Sequence, residues 1–431
     1  MRCMFHRVLL SITLLALLLT CASCTPSWLC WECVEVKNLP PRNTVVWISI
    51  DGLRHDYLAR AKPPTLTKLA AEGLYTNQET PIFPSLTFPN HAAQVTGRYV
   101  DGHGIPANAF FDSDTNQTYY LPDDAFLYRA EPIWITAKKQ GVRSAVINWP
   151  MSHKQTGPVT ADYFEPTYNK KQTDAERLDH IIDLLKTDKT DQPVRLVLTY
   201  LFQLDYAGHE YGPDTPQVDA ALLNVDRLLA KFQADLTTWF DATHTSRDEL
   251  VLLITTDHGM ETIRESVNLD RLLGGDLLAG AKLVPSGPIA SIYLTGVAPE
   301  AKPARVAAIV NQLRQNDLCT AWPATDVPAN YHFADPTRVG DVTVLLKPGY
   351  VFTPLRVSAT QPVKILKGNH GFDPAVSPNM LGSAIVWRYR HPFDHRDLGP
   401  VDNTQWHATV AKLLCIQPAK DADPRAIPLG P

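Results

Sequence analysis

Four short stretches carry residue types that could do chemistry together: DYAGH at 205–209, DHG at 257–259, NHGFD at 369–373 and PIFPSLTFPNH at 81–91. Asp205 and His209 stand four residues apart, close enough to bind one metal ion from a turn or a helix start. Asp257 and His258 form a second pair, followed by a glycine that lets the chain turn sharply, and His370 sits in a Gly-flanked loop. Carboxylate and imidazole ligands in this mixture suit zinc first, with manganese or another divalent ion next. Any one of these residues alone reads more simply as a helix cap or a turn. Taken together they outnumber the ligands of one ion, so two ions is the more economical count. Two ions form a clamp for in-line displacement at phosphorus. Such a clamp can activate a hydroxyl without a Ser-His-Asp triad, and no G-x-S-x-G elbow occurs in the chain. Thr87, held among Pro81, Pro84 and Pro89, is the hydroxyl that fits.

These residues need a scaffold that brings them to one place. Three apolar, β-branched runs end at or near an aspartate: VVWISI (45–50) before Asp51, VRLVLTYLF (194–202) shortly before Asp205, and LVLLITT (250–256) before Asp257. Their hydrophobicity is continuous rather than alternating, the mark of strands buried on both faces of a parallel sheet. SAVINW (144–149) adds a strand. Helical patterns lie between at 64–72, 131–140, 175–186 and 217–239, the last with a core-facing stripe from Val218 to Phe232. This alternation predicts an α/β sandwich with a mainly parallel central sheet flanked by helices. In such sheets ligands gather outside the carboxyl ends of the strands, which is where the three aspartates point. Strands near 291–294 and 342–346 around a helix at 304–314 predict a small inserted subdomain, about 261–367.

The chain has 431 residues and a net charge of -5, with no basic footprint for nucleic acid. Arg2, His6 and Arg7 precede an apolar run from Val8 to Ala22 that is short for a membrane span and suits a signal h-region, so residues 1–23 read as a signal peptide. An uncleaved anchor, or a lipid on Cys24, is the alternative. Residues 24–43 form a Cys/Pro-containing lead-in, 44–420 the catalytic domain and 421–431 a tail. Five of the seven cysteines lie in the first 33 residues. CWEC (30–33) lacks a second pair for zinc, which favours structural disulfides in an oxidising compartment. Asn116 begins a glycosylation sequon.

ISIDGL (48–53), PSLTFPNH (84–91), VTGRY (95–99), GHGI (102–105), EPIW (131–134), DYAGHEYGP (205–213), TDHGM (256–260) and NHGF (369–372) occur in an order that resembles the nucleotide pyrophosphatase/phosphodiesterase family of the alkaline phosphatase superfamily, in its compact form with the catalytic domain alone. The resemblance runs from about 45 to about 415. It implies an alkaline-phosphatase-like fold and two zinc ions, one held by Asp205, His209 and His370, the other by Asp51, Asp257 and His258, with Thr87 as the nucleophile between them. Asn108 falls where the family hydrogen-bonds the phosphate. Phe88 resembles the aromatic that packs on a nucleotide base, and Tyr168 is its opposite wall. Met151 stands where the family often has glycine, and Asn369 is another departure.

The activity so implied is hydrolysis of nucleotide phosphodiester and pyrophosphate bonds to nucleoside 5′-monophosphates, through a threonyl-phosphate ester. Nucleoside triphosphates, dinucleotides and nucleotide sugars are the substrates this implies. The setting would be secreted or cell-surface, periplasmic in a bacterium, with membrane attachment only through an anchor or lipid. Two alternatives stand beside this reading. One keeps the chemistry and takes choline-containing or lipid-derived phosphodiesters; the other is a catalytically silent extracellular binding protein.

Overall fold

The computed structural model describes residues 42–353 and 366–430, Asp191 excepted. The expected signal peptide and most of the lead-in lie outside the described residues. The central sheet is built from β1 (Thr44–Ile50), β2 (Leu74–Thr80), β3 (Ser144–Ile147), β4 (Tyr163–Phe164), β5 (Leu196–Leu201), β6 (Leu250–Thr255), β7 (Gly382–Tyr389), β8 (Arg396–Asp397) and β9 (Val401–Asp402). Its order is β8-β2-β7-β6-β1-β5-β3-β4, with β9 also beside β2. Every pairing is parallel except those of β7, which runs antiparallel to β2 and β6. The fold is therefore the α/β sandwich with a mainly parallel sheet that the continuous apolar runs predict.

β1 shows why these runs become strands. All seven of its residues are buried. Val46, Ile48 and Ile50 enter one core with α1 (Pro64–Glu72), α4 (Asp174–Thr187), α5 (Gln203–Tyr211) and α6 (Pro216–Thr243), while Val45 and Trp47 enter another. That second core takes Val95 from α2 (Thr87–Thr96), Trp134 from α3 (Ile133–Lys139), and Trp406 and Val410 from the helix Gln405–Leu413. Alternate side chains thus pack against helices on opposite faces. A capping box between Thr173 and Glu176 starts α4, and Pro216 at the first turn starts α6.

A separate antiparallel sheet of Lys282–Ser286, Ile289–Tyr293, Val342–Leu346 and Cys319–Pro323 packs with the helix Lys302–Arg314 around its own cluster of Ile292, Leu313 and Val344. The final segment lies against the main body: Ile427 and Leu429 are buried with the Trp406 core. Among the described residues no helix is long and apolar enough to cross a membrane.

Candidate active site

The carboxyl ends of β1, β5 and β6 deliver Asp51, Asp205 and Asp257 to one place. Asp51 is the first residue after β1 and donates its N–H to Leu201 O on β5 at 2.9 Å. Gly52 follows with φ of +69°, and a Cβ there would sit 3.3 Å from the Asp205 Cα. The chain needs glycine at this point both for its left-handed turn and for the approach of α5.

Two groups of ligand atoms have metal-binding geometry. Asp205, His209 and His370 form one, and Asp51, Asp205 and His258 the other, each with atoms within 4.8 Å of one another. Asp257 joins the second, its Oδ2 lying 3.0 Å from His258 Nε2. Backbone carbonyls fix every ring: His209 Nδ1 faces Gly368 O at 2.8 Å, His258 Nδ1 faces Gly259 O at 2.9 Å, and His370 Nδ1 faces Ser85 O at 3.1 Å. With Nδ1 donating, each Nε2 is left as a lone pair turned toward the carboxylates. Asn369 contributes locally, its side-chain oxygen accepting the His370 N–H at 2.8 Å.

The electrostatics are unfavourable without a cation. Asp51 Oδ1, Asp205 Oδ1 and Asp257 Oδ2 are buried and accept no hydrogen bond. Burial pushes the Asp51 carboxyl well above its ordinary range, and the negative charges of Asp205 and Asp257 push it further. Burial acts upward on Asp257 too, but His258 and His91 outweigh it and hold it below the usual carboxylate range. His370 is driven well below the ordinary imidazole value by burial and by His258, and so stays neutral, as a ligand must. Burial acts downward on His209 and His258 too, but Asp205 and Asp257 outweigh it and raise them, so each of these carboxylate–imidazole pairs attracts a positive charge that a divalent ion of the zinc type would supply.

Thr87 opens the ten-residue helix α2. None of the helical patterns read from the sequence covers this stretch, because prolines at 81, 84 and 89 obscure it. Pro89 falls in the first turn, where a missing N–H costs nothing. The helix start places partial positive charge beside the hydroxyl, a setting suited to an anion. Thr87 Oγ1 lies 3.3 Å from His258 Nε2 and 3.5 Å from Asn108 Nδ2. Asn108 is oriented by its other end, since its Oδ1 accepts the Phe88 N–H at 2.9 Å.

A cavity of about 430 Å³ opens over this cluster, and Phe88, Asn108, Tyr168 and Asp205 all line it. Asp51, Thr87, His209 and His370 line it too, whereas Asp257 and His258 do not; His258 Nε2 lies 3.4 Å from Asp51 Oδ1 and 3.3 Å from Thr87 Oγ1. Met151 also lines it, fully buried with φ of +59°, in the left-handed region that glycine prefers.

Sequence reasoning passed over the buried polar groups that hold this arrangement. Tyr200 on β5 donates its hydroxyl to Asp51 Oδ2. His91 reaches Thr87 O at 2.8 Å, Ser49 Oγ at 2.9 Å and Asp257 Oδ2 at 3.5 Å. Glu79 accepts the Thr256 N–H at 2.9 Å and the Trp406 indole N–H at 2.7 Å. Of these, His91 alone lies within a family-like motif, PSLTFPNH; Tyr200 and Glu79 look like ordinary strand residues.

Comparison with known proteins agrees with this picture. The chain matches the type I phosphodiesterase / nucleotide pyrophosphatase family over residues 45–373, and it belongs to that family of hydrolases. An uncharacterised pyrophosphatase/phosphodiesterase of Schizosaccharomyces pombe is 27% identical over 409 residues, covering 90% of this chain and 80% of the yeast protein. A bis(5′-adenosyl)-triphosphatase of Xenopus laevis is 28% identical over 354 residues, 79% of this chain and 72% of its own. Among solved structures, an inactive variant of murine ectonucleotide pyrophosphatase/phosphodiesterase 5 in complex with AMP shares the fold with a TM-score of 0.74 at 24% identity, covering 87% of this chain and 96% of the murine one.

Proposed function

We propose that this protein is a zinc-dependent nucleotide pyrophosphatase/phosphodiesterase that releases nucleoside 5′-monophosphates through a threonyl-phosphate ester on Thr87. The observation that carries the reading is the meeting, in one cavity, of a helix-starting hydroxyl with two carboxylate–imidazole groups and two aromatic walls. Asp205, His209 and His370 would hold one zinc, and Asp51, Asp257 and His258 the other. When bound, the two ions supply positive charge at the phosphate and lower the pKa of the attacking hydroxyl.

The chain's own residues do the rest. Thr87 Oγ1 attacks phosphorus, forming the Oγ1–P bond as the bond to the leaving oxygen breaks. Asn108 Nδ2, aimed by the Phe88 N–H, donates to a phosphate oxygen as its charge grows. Water then attacks the ester and returns the threonine. Phe88 and Tyr168 form the slot for the base. Nucleoside triphosphates, dinucleotides and nucleotide sugars are the substrates of this scheme, in line with the triphosphatase name of the Xenopus relative. The ecto- designation of relatives supports a secretory setting. Residues 44–420 would form the catalytic domain, with an insert at about 261–367.

The test is hydrolysis of thymidine 5′-monophosphate p-nitrophenyl ester beside p-nitrophenyl phosphocholine and p-nitrophenyl phosphate, before and after chelation and zinc addition. Preference for the nucleotide ester, lost on chelation and restored by zinc, is the expected result. Preference for phosphocholine would replace the substrate, and no activity in zinc-loaded protein would replace the enzyme with a binding fold.

A further inference from the structure

Arg177 lies on α4, outside the cluster described above, and is fully buried. Guanidinium cannot shed its proton in a protein, so this is a permanent charge removed from water. Among the described residues no carboxylate comes within 4.0 Å of it, although Asp174 and Glu165 are near enough to feel its charge, and its Nε has no hydrogen-bond partner. Three aromatic faces surround it instead: its carbon lies 4.8 Å from the Phe202 ring centre, 5.1 Å from that of Tyr168 and 5.6 Å from that of Tyr200. Cation–π attraction of this kind offsets only part of the desolvation. The pull of Asp174 and Glu165 offsets a further part, and what distinguishes this arginine is where its two hydrogen bonds go.

What Arg177 does connect is specific. One terminal nitrogen donates to the Tyr168 hydroxyl at 2.9 Å and the other to Tyr200 O at 2.7 Å. Tyr168 is half-buried and borders the cavity, and its segment has little regular structure of its own, lying between β4 and α4. Tyr200 belongs to the rigid central sheet, with its hydroxyl on Asp51. The guanidinium fork therefore ties a loop-borne aromatic wall to the strand beside the reacting centre, through two bonds of fixed relative angle.

We infer that Arg177 is a positioning residue for nucleotide selectivity, acting through Tyr168 to hold the base slot at a fixed width before substrate arrives. This rests on the nucleotide reading above. A wall already ordered costs the base less entropy to bind than one that must be ordered on contact. The effect should therefore fall on substrates that carry a base and appear in KM.

The test compares zinc-loaded wild type, Arg177→Met, Tyr168→Phe, Tyr168→Ala and the Arg177→Met/Tyr168→Ala double variant on thymidine 5′-monophosphate p-nitrophenyl ester and on methyl p-nitrophenyl phosphate, which has no base. Arg177→Met should lower kcat/KM on the nucleotide ester about tenfold, the loss of one charge-assisted hydrogen bond, chiefly through KM. On the methyl ester the change should stay within about twofold, and in the Tyr168→Ala background Arg177→Met should add no further loss of selectivity. Equal losses on both esters, or an undiminished loss without Tyr168, would overturn the inference. Should Arg177→Met fail to fold, Tyr168→Phe removes only the hydroxyl that receives the bond: a several-fold rise in nucleotide KM supports the inference, and an unchanged KM overturns it. Wild type with no preference for the nucleotide ester would remove the base slot itself, whereas a preference left intact by Arg177→Met defeats the positioning role alone.

Discussion

His258 and His370 stack face to face, ring centres 3.4 Å apart and planes 15° from parallel, although 112 positions separate them in the chain. One comes from the end of β6 and the other from a Gly-flanked loop, and each is turned by a backbone carbonyl so that its Nε2 faces the carboxylates. Because the two rings belong to different proposed ion sites, removing one should empty its own site first. His370→Ala is expected to reduce bound zinc from two ions toward one per chain, measured by elemental analysis after dialysis. Two ions retained at full affinity would contradict the assignment of His370.

Tyr200→Phe keeps the ring and removes the hydroxyl that faces Asp51 Oδ2. Partners of metal ligands typically matter by about 10–100-fold in affinity or activity. Zinc affinity from chelator competition should fall within that range with little change in Tm. A variant that binds zinc as wild type does would show that Asp51 needs no such support.

Met151 sets two effects against each other. Its φ of +59° costs a residue with a Cβ about 1–2 kcal/mol, which glycine would relieve. Its side chain is buried in a cluster with Ile105 and Phe110, and emptying such a site costs about 2–5 kcal/mol. The second term is larger, so Met151→Gly should be net destabilising by about 1–3 kcal/mol in urea unfolding. Net stabilisation would mean that the strain dominates.

His407 supplies a pH dependence away from the proposed ion sites. Burial lowers it to about 4. Its Nδ1 donates to Val95 O at 2.7 Å and its Nε2 accepts the Ala419 N–H at 2.9 Å, an arrangement that protonation would break. The folded value lies below the unfolded one, near 6.5, so the contribution is complete above about pH 6.5 and is lost as pH falls toward 4. The slope is at most about 1.4 kcal/mol per pH unit. The stability advantage of wild type over His407→Gln should shrink between pH 6.5 and 4.5; a constant difference would show that His407 does not titrate there.

What the sequence reveals follows from where the information lies. The aspartates after β1 and β6 are legible because a continuous apolar run must be a buried strand, and its carboxyl end must face the crevice. The helix at Thr87–Thr96 is illegible, since prolines mask its start and nearly all its residues are buried, leaving no polar face to set a period. β7 is missed for another reason: it is the antiparallel exception and comes long after its neighbours in the chain. Tyr200 and Arg177 sit inside ordinary strand and helix patterns, and only tertiary packing gives them their roles.

The central claim is that Thr87 is the attacking group. The most direct measurement is turnover of thymidine 5′-monophosphate p-nitrophenyl ester by zinc-loaded Thr87→Ala, with zinc content determined on the same sample. Loss of kcat by at least roughly a thousandfold, with zinc content near that of wild type, is the predicted result. Turnover within about tenfold of wild type would contradict the account, because the ester on Thr87 would then not lie on the reaction path.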